Sequence, residues 1–195
     1  MKKKLVLATN NKNKVKEINH ILSDTNLKLI PQTYYNVSSV KENGNSFVEN
    51  ALLKARHASS ISKLSALGDD SGLVIPSIKN EPGLYSSRYS KINVSNINKL
   101  ISFLKKKKFN YIPAFYYCSI AIVFYEKDPI PIISCGKLDG FIINKKIGIN
   151  GFGYDQCFFI KKHNCTIAEL DIITKNKISH RAKALYSLKL QYKRI

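Results

Sequence analysis

Paired cysteines are missing from this sequence. Its four, Cys118, Cys135, Cys157 and Cys165, stand far apart, and none forms a C-x-x-C pair. That argues against a zinc site, and with no sign of secretion the default is reduced thiols in a cytosol. Long apolar runs are missing as well. The longest, Ile112 to Tyr125, carries no charge but is too short to span a bilayer comfortably, and reads as a buried strand with its approach. The start, Met1-Lys2-Lys3-Lys4, has the charge of a leader, yet only Leu5 to Ala8 follows as an apolar segment, too short for the core of a signal peptide. There is no internal repeat and no long linker. The glycine-rich G-x-x-x-x-G-K-[ST] loop that would announce a P-loop is absent. Acidic residues are scarce: 13 against 32 Lys and Arg, for a net charge of +19. Such a charge suits an anionic partner. The excess is mostly Lys beside abundant Asn and Ile, a compositional bias that gives it little weight as evidence for nucleic-acid binding. At 195 residues the chain fits a single domain, 1–195, with a sizeable core.

Against that scarcity, two adjacent acids stand out. Leu67-Gly68-Asp69-Asp70-Ser71-Gly72-Leu73-Val74-Ile75 places them between glycines and apolar flanks. The pattern predicts a buried strand ending at a tight acidic turn, with a second strand leaving it. On an extended backbone the two side chains point to opposite faces, so one of the pair faces any given cleft. Neighbouring carboxylates repel, which raises a pKa unless a cation is near, and a hard divalent ion with phosphates would resolve the conflict. The competing reading is an ordinary Asp-Ser-Gly turn at the surface.

Taken in order, Lys4 to Ala8 predicts a strand, and Val15, Ile18, Ile21 and Leu22 recur at helical spacing. Between them lies the polar run Thr9-Asn10-Asn11-Lys12-Asn13-Lys14, at a strand end and a helix start, where backbone N–H groups favour anions. It reads equally as an asparagine N-cap with solvated lysines. Leu27 to Ile30 predicts a strand closed by Pro31, and Val37 to Asn45 a loop. Phe47, Ala51, Leu52, Ala55 and Ala58 mark a second helix, with Lys54 and Arg56 off its stripe. Ile97, Leu100, Ile101 and Leu104 mark a third, whose end, Lys105 to Lys108, reads as solvated. Phe115 to Tyr125 and Ile130 to Leu138 predict an antiparallel hairpin. In Gly148-Ile149-Asn150-Gly151-Phe152-Gly153-Tyr154-Asp155 three glycines allow close backbone approach to a ligand, and two aromatics could stack on a flat base. Phe158 to Ile160 continues as a strand. Lys175, His180 and Arg181 gather around the start of a last helix that Ser179 could cap, either as an anion site or as solvent-exposed charge.

These segments together carry a resemblance. Ala8-Thr9-Asn10-Asn11-x-x-Lys14, Glu49-Asn50-Ala51-x-x-Lys54-Ala55, Asp69-Asp70-Ser71-Gly72-Leu73, Pro82-Gly83-x-Tyr85-Ser86-x-Arg88-Tyr89, Gly151-Phe152-Gly153-Tyr154-Asp155 and Ser179-His180-Arg181 occur in this order from residue 5 to about residue 190. The chain resembles the inosine triphosphate pyrophosphatase family, in its bacterial dITP/XTP pyrophosphatase branch. The resemblance implies an α/β fold: an elongated mixed central sheet flanked by helices, with two lobes enclosing a nucleotide-binding cleft. It implies hydrolysis of 6-oxo purine nucleoside triphosphates (dITP, ITP, XTP and dXTP) to monophosphate and pyrophosphate, with Mg²⁺ as cofactor, in a cytoplasmic homodimer that cleanses the nucleotide pool. Neither a membrane nor specific nucleic-acid binding is expected. By resemblance Asp70 is the catalytic acid residue, base toward the attacking water and metal ligand, and Glu42 the second metal ligand. Substrate contacts fall to Thr9, Asn10, Asn11, Lys12, Asn13, Lys14, Ser71, Phe152, Gly153, Tyr154, Asp155, Lys175, His180 and Arg181. Lys14 is expected near phosphate, Phe152 to Asp155 at the base, and Lys54 also within reach of phosphate.

The sequence departs from the family pattern in places. Asn10 and Asn150 stand where glycine is common, and asparagine tolerates φ > 0 best after glycine. Gln156 replaces a usual proline, Pro76 a usual aspartate, and Lys41 one of two acids often found beside Glu42. Two other readings remain: a related pyrophosphatase acting on another damaged base, and a non-enzymatic basic protein that binds nucleic acid. The last predicts salt-sensitive DNA binding that survives Asp70→Asn.

Overall fold

The opening strand, β1 (Lys3–Ala8), sets the plan of the first half, because its side chains are buried on both faces. Leu5 and Leu7 join one apolar cluster and Val6 and Ala8 another, the alternation that a pleated strand imposes. A computed structural model of the protein describes residues 3–90 and 95–192. Met1 and Lys2, part of the leader-like start, lie outside the described residues. The elements that follow are α1 (Lys12–Ile21), β2 (Leu27–Pro31), α2 (Phe47–Ser62), β3 (Ala66–Ile75), β4 (Glu81–Pro82), α3 (Asn96–Lys106), β5 (Tyr111–Val123), β6 (Ile132–Ile143), β7 (Phe158–Ile160), β8 (Cys165–Thr166), α4 (Ile172–Ile178) and α5 (His180–Tyr192).

The strands form one mixed eight-stranded sheet in the order β2-β1-β3-β5-β6-β7-β8, with β4 beside β3. β1 runs parallel to both β2 and β3. β4 is antiparallel to β3, β7 to β6 and β8 to β7. β5 and β6 are neighbours joined by residues 124–131, too short for a crossover, so they make the expected hairpin. The α/β sheet flanked by helices anticipated from the sequence is what is found.

The chain divides into two compact units, with boundaries inside β3, β5 and β6. The first holds residues 1–71, 118–136 and 180–195. Here one face of the sheet packs Leu5, Leu7 and Leu67 with Ile18 and Ile21 of α1 and Leu185 and Leu188 of α5. The other packs Val6, Ala8 and Ala66 against Ala51, Ala55 and Ala58 of α2. Alanine on that helix stripe lets it lie close. A Cβ added to Gly68 would sit 2.1 Å from the Ala51 carbonyl oxygen, so the glycine is demanded by helix-on-strand contact.

The second unit holds residues 72–117 and 137–179. Its core gathers Leu73, Ile75, Ile112, Ala114, Tyr116, Tyr154 and Phe158 around the apolar face of α3, Ile97, Leu100, Ile101 and Leu104. Full burial of a leucine such as Leu100 or Leu104 is worth about 1.5–3 kcal/mol. β5 alternates buried and less buried residues from Tyr111 to Tyr117 and is wholly buried from Cys118 to Val123. No helix among the described residues is long and apolar enough to cross a membrane.

Two expectations are corrected. The acidic stretch is no turn: β3 runs unbroken through Gly68-Asp69-Asp70-Ser71-Gly72. Turn composition yielded to tertiary context, because both aspartates meet cations in the fold and need no solvent. Lys175 is not at the start of the last helix. It lies within the separate short helix α4, capped at its start by Asp171 and ended at Ser179, before α5 begins at His180.

Candidate active site

Because β3 is extended, its consecutive side chains serve opposite faces of the sheet in the first unit, and each acid finds its own set of partners. Asp69 shares the face of Leu67, where α1 and α5 pack. Its side chain is fully buried. The Lys14 ammonium from α1 pairs with Oδ1, Arg181 Nε from α5 donates to Oδ2 at 3.0 Å, and the Cys118 thiol donates to Oδ2 at 3.2 Å. Arg181 is itself buried, and each of its three nitrogens donates a hydrogen bond. Its Nη1 pairs with Glu17 of α1, and its Nη2 donates to Ser71 Oγ at 3.2 Å. Ser71, two residues on and therefore on the same face, donates to Asp69 Oδ2 at 3.2 Å. Buried Asp69, Arg181 and Glu17 thus form, with half-buried Lys14, a group whose formal charges cancel. Burial alone would raise the Asp69 pKa, but Arg181, then Lys14 and Lys54, overcome it and hold the carboxyl well below the usual range.

Asp70 faces the other way, toward α2. Lys54 Nζ donates to its Oδ1 at 2.8 Å and also to Glu42 Oε1 at 3.0 Å. Asn50 Nδ2 donates to Asp70 Oδ2 at 3.3 Å. Burial raises the Asp70 pKa, and Lys54 offsets it only in part, so this carboxyl stays above its ordinary value. Burial works to lower the Lys54 pKa, yet Asp70, Asp69 and Glu42 outweigh it, so the lysine remains charged. Two identical, adjacent side chains are thereby driven apart: one a fixed counter-ion, the other the more basic group.

Among the described residues no three His, Cys, Asp or Glu side chains gather as a metal cage. A magnesium site needs no such cage, since one or two carboxylates plus phosphate oxygens are its ordinary partners. Asp70 and Glu42 already converge on a single cation, the Lys54 ammonium. Hard oxygen donors arranged around one positive centre fit Mg²⁺. Lys41 is exposed and does not enter the group.

The polar run after β1 is organised by its own side chains. Asn11 caps α1, its side chain accepting from the Asn13 and Lys14 N–H groups at 3.0 and 3.3 Å. Thr9 Oγ1 accepts from Asn11 N–H at 3.2 Å. The Asn10 amide is braced at both ends, donating to Ser39 Oγ at 3.1 Å and accepting from Gln32 Nε2 at 2.7 Å. Lys12 and Asn13 are exposed on the first turn. His180 and Arg181 are buried, not solvated.

The second unit holds a separate group. Asp155, buried, accepts from Phe152 N–H at 2.9 Å, Lys175 Nζ at 2.8 Å and the Tyr116 hydroxyl at 3.3 Å. Gly148, Gly151 and Gly153 all take positive φ, which shapes the loop. The Lys175 ammonium also sits 4.6 Å from the centre of the half-buried Phe152 ring. The Tyr154 ring is packed in the core, and its hydroxyl donates to the Ser86 carbonyl at 2.9 Å. Of the two aromatics read as stacking surfaces, Phe152 presents its ring and Tyr154 anchors the loop. Lys175 therefore belongs with Phe152 and Asp155, and Arg181 with Asp69 and Ser71 of β3.

Glu17, Asn50, Cys118 and Tyr116 were not singled out by sequence reasoning. Glu17 had a faint signal, three residues after Lys14 and so on the same side of α1. Asn50 stood inside a matched motif without a role.

Known proteins with this sequence pattern and shape can now be set beside the geometry. The Ham1 family matches residues 5–191 of the chain. A dITP/XTP pyrophosphatase of Legionella pneumophila (strain Lens) is 46% identical over 190 residues, covering 96% of this chain and 97% of the relative. Another of the same description from Haemophilus influenzae is 47% identical over 192 residues, 97% of this chain and 98% of the relative. The solved structure of a HAM1 protein from Coxiella burnetii superposes with a TM-score of 0.91 at 41% identity, covering 99% of this chain and all of that one.

Proposed function

The chain belongs to the Ham1 family, and from that membership we propose that it hydrolyses 6-oxo purine nucleoside triphosphates (dITP, ITP, XTP and dXTP) to the monophosphate and pyrophosphate. Cleansing the nucleotide pool is the role, so that these bases do not enter DNA or RNA. Magnesium dependence, a homodimeric assembly and a cytoplasmic location are parts of the same proposal. The observation that carries it is the Glu42–Lys54–Asp70 group, two carboxylates converging on one cationic centre beside a strand that also presents Ser71.

The chemistry asked of the protein is breakage of the α–β phosphoanhydride bond by water. Asp70 takes the proton of the attacking water. Its raised pKa suits that task, because a base nearer the operating pH accepts a proton with less penalty. Lys54 and Asn50 hold its two oxygens, so the carboxylate does not rotate away. Magnesium, held by Asp70 and Glu42, would neutralise charge on the phosphate oxygens. Lys14 and Lys54 supply further positive charge for the phosphates, and phosphoryl transfer rewards positioning and charge neutralisation above all. Thr9 to Lys14 and Ser71 contact the nucleotide. Arg181 acts from behind Ser71, donating to its hydroxyl and to Asp69.

Base choice rests with the second group. A 6-oxo purine presents an acceptor at O6, and an adenine presents a donor there. Lys175 has donors and no acceptor, so it matches the first and opposes the second. Phe152 offers a face for the ring to stack on. A mismatch of this kind, where buried hydrogen-bonding groups go unpaired, discriminates by about 10⁴-fold.

The experiment is pyrophosphate release from dITP, XTP, dGTP and dATP side by side, with and without Mg²⁺. Magnesium-dependent release from dITP and XTP, with dATP refused, is expected. Equal release from dATP, or none from any substrate, would overturn the proposal.

A further inference from the structure

One buried side chain, already seen to hold an oxygen of Asp70, touches both halves of the candidate cation site. Asn50 lies at the end of the first turn of α2 and has no exposure. Its Oδ1 accepts from Gly44 N–H at 2.9 Å, and its Nδ2 donates to Asp70 Oδ2 at 3.3 Å. Gly44 is two residues beyond Glu42, in the loop that delivers this carboxylate. A single amide thus ties the Glu42 loop to the Asp70 side chain, acceptor end on one and donor end on the other.

Few residue types can do this. Aspartate keeps the acceptor and lacks the donor, leucine has the volume and neither, and glutamine is longer by a methylene. No slack is available, because a Cβ on Gly44 would lie 2.8 Å from Asn50 Oδ1 and 2.7 Å from Glu49 Cβ. The neighbouring residue reinforces the tie: Glu49 accepts from Asn45 N–H at 2.8 Å and from Ser46 Oγ at 3.2 Å. The loop from Glu42 to Ser46 is therefore fastened to the start of α2. The Asn50 contact also reaches the oxygen of Asp70 left by Lys54, which holds the other one at 2.8 Å.

We propose that Asn50 is a positioning residue that sets the spacing of Glu42 and Asp70 for a divalent cation. The proposal rests on the pyrophosphatase reading of the same site. Asn50 touches neither substrate nor cation. It acts through the two carboxylates, and its loss leaves both present but no longer held at one separation. Groups that orient metal ligands in this way commonly change metal affinity by about 10–100-fold when removed.

The test uses Mn²⁺ as the probe, counted by the EPR signal of the free ion, on the full chain with the α,β-methylene analogue of ITP bound. Wild type, Asn50→Ala and Asn50→Leu are compared, with Glu42→Gln as the reference for a lost ligand. Leucine keeps the volume and alanine does not, so the two variants separate packing from hydrogen bonding. The Mn²⁺ dissociation constant is expected to rise about 10–100-fold in both. The half-saturating Mg²⁺ for dITP turnover should rise in parallel. Circular dichroism melts identify the variants that are folded at the assay temperature. Mn²⁺ affinity within twofold of wild type in a folded variant would overturn the proposal while leaving the pyrophosphatase reading intact. Wild type that binds Mn²⁺ yet releases no pyrophosphate from dITP would defeat that reading instead, and with it the role assigned to Asn50.

Discussion

Glu17→Gln gives the sharpest check on the buried charge group. The substitution keeps shape and leaves an amide oxygen that can still accept from Arg181, so what it removes is a charge. Lys14, Asp69, Arg181 and Glu17 sum to zero, and the variant leaves one uncompensated positive charge where Arg181 and Asp69 have side-chain exposures of 2% and 0%. Removing one partner of a buried pair costs about 3–5 kcal/mol. In a protein of this size each kcal/mol lowers the melting temperature by about 2–4 °C. The expected loss is therefore about 6–20 °C, a large share of a total stability of about 5–15 kcal/mol. Thermal unfolding followed by circular dichroism at neutral pH, at low and high salt, is the assay. The loss should be nearly independent of salt, since buried pairs are screened little. A drop under about 2 °C, or one that salt abolishes, would refute the reasoning: Arg181 would then reach water instead of depending on Glu17.

Asp70→Asn is expected to abolish pyrophosphate release while leaving nucleotide binding within a few-fold; near-normal turnover would remove Asp70 from the catalytic role. Asp69 gives a pH signature. Its folded pKa is depressed, so its contribution is fully present above the unfolded value of about 3.9 and is lost as pH falls from there toward the folded value. The stability gap between wild type and Asp69→Asn should accordingly be constant near neutrality and narrow below about pH 4, and a gap unchanged to pH 2 would contradict the assignment. Phe152→Ala should raise KM for dITP by about 5–150-fold, the equivalent of one stacked base, with Phe152→Tyr nearly normal. An unchanged KM would place the base elsewhere.

Much of this was legible in the sequence because it depends on local pattern. Periodicity located α1, α2 and α3 and the hairpin, and the order of short motifs located the acids, the glycine-rich loop and Arg181. What stayed hidden depends on residues distant in the chain. Glu17 meets Arg181 across 164 positions, and on an amphipathic helix such a residue is indistinguishable from a solvated one. The same distance disguised Arg181: charge beside a helix start reads as exposed until Asp69 and Glu17 are there to receive it. The acidic stretch read as a turn for a related reason. Gly-Asp-Asp-Ser-Gly has turn composition, and only the cations brought by α1, α2 and α5 allow it to remain strand. The alternation of Asp69 and Asp70 across the sheet was foreseeable from the backbone alone, whereas which acid met which partner required the helices to be placed.

The unbroken course of β3 makes the spacing of residues there as restrictive as their identity. Deleting or inserting a single residue ahead of Asp69 would shift the strand's pleat by one and hand each aspartate to the opposite layer. The composition would be preserved, yet the carboxylate with the raised pKa would come to face α1 and α5, and the clamped one Lys54. Chain length between Ala66 and Ser71 is thus a heritable constraint in its own right, beside the identities of Gly68, Asp69 and Asp70.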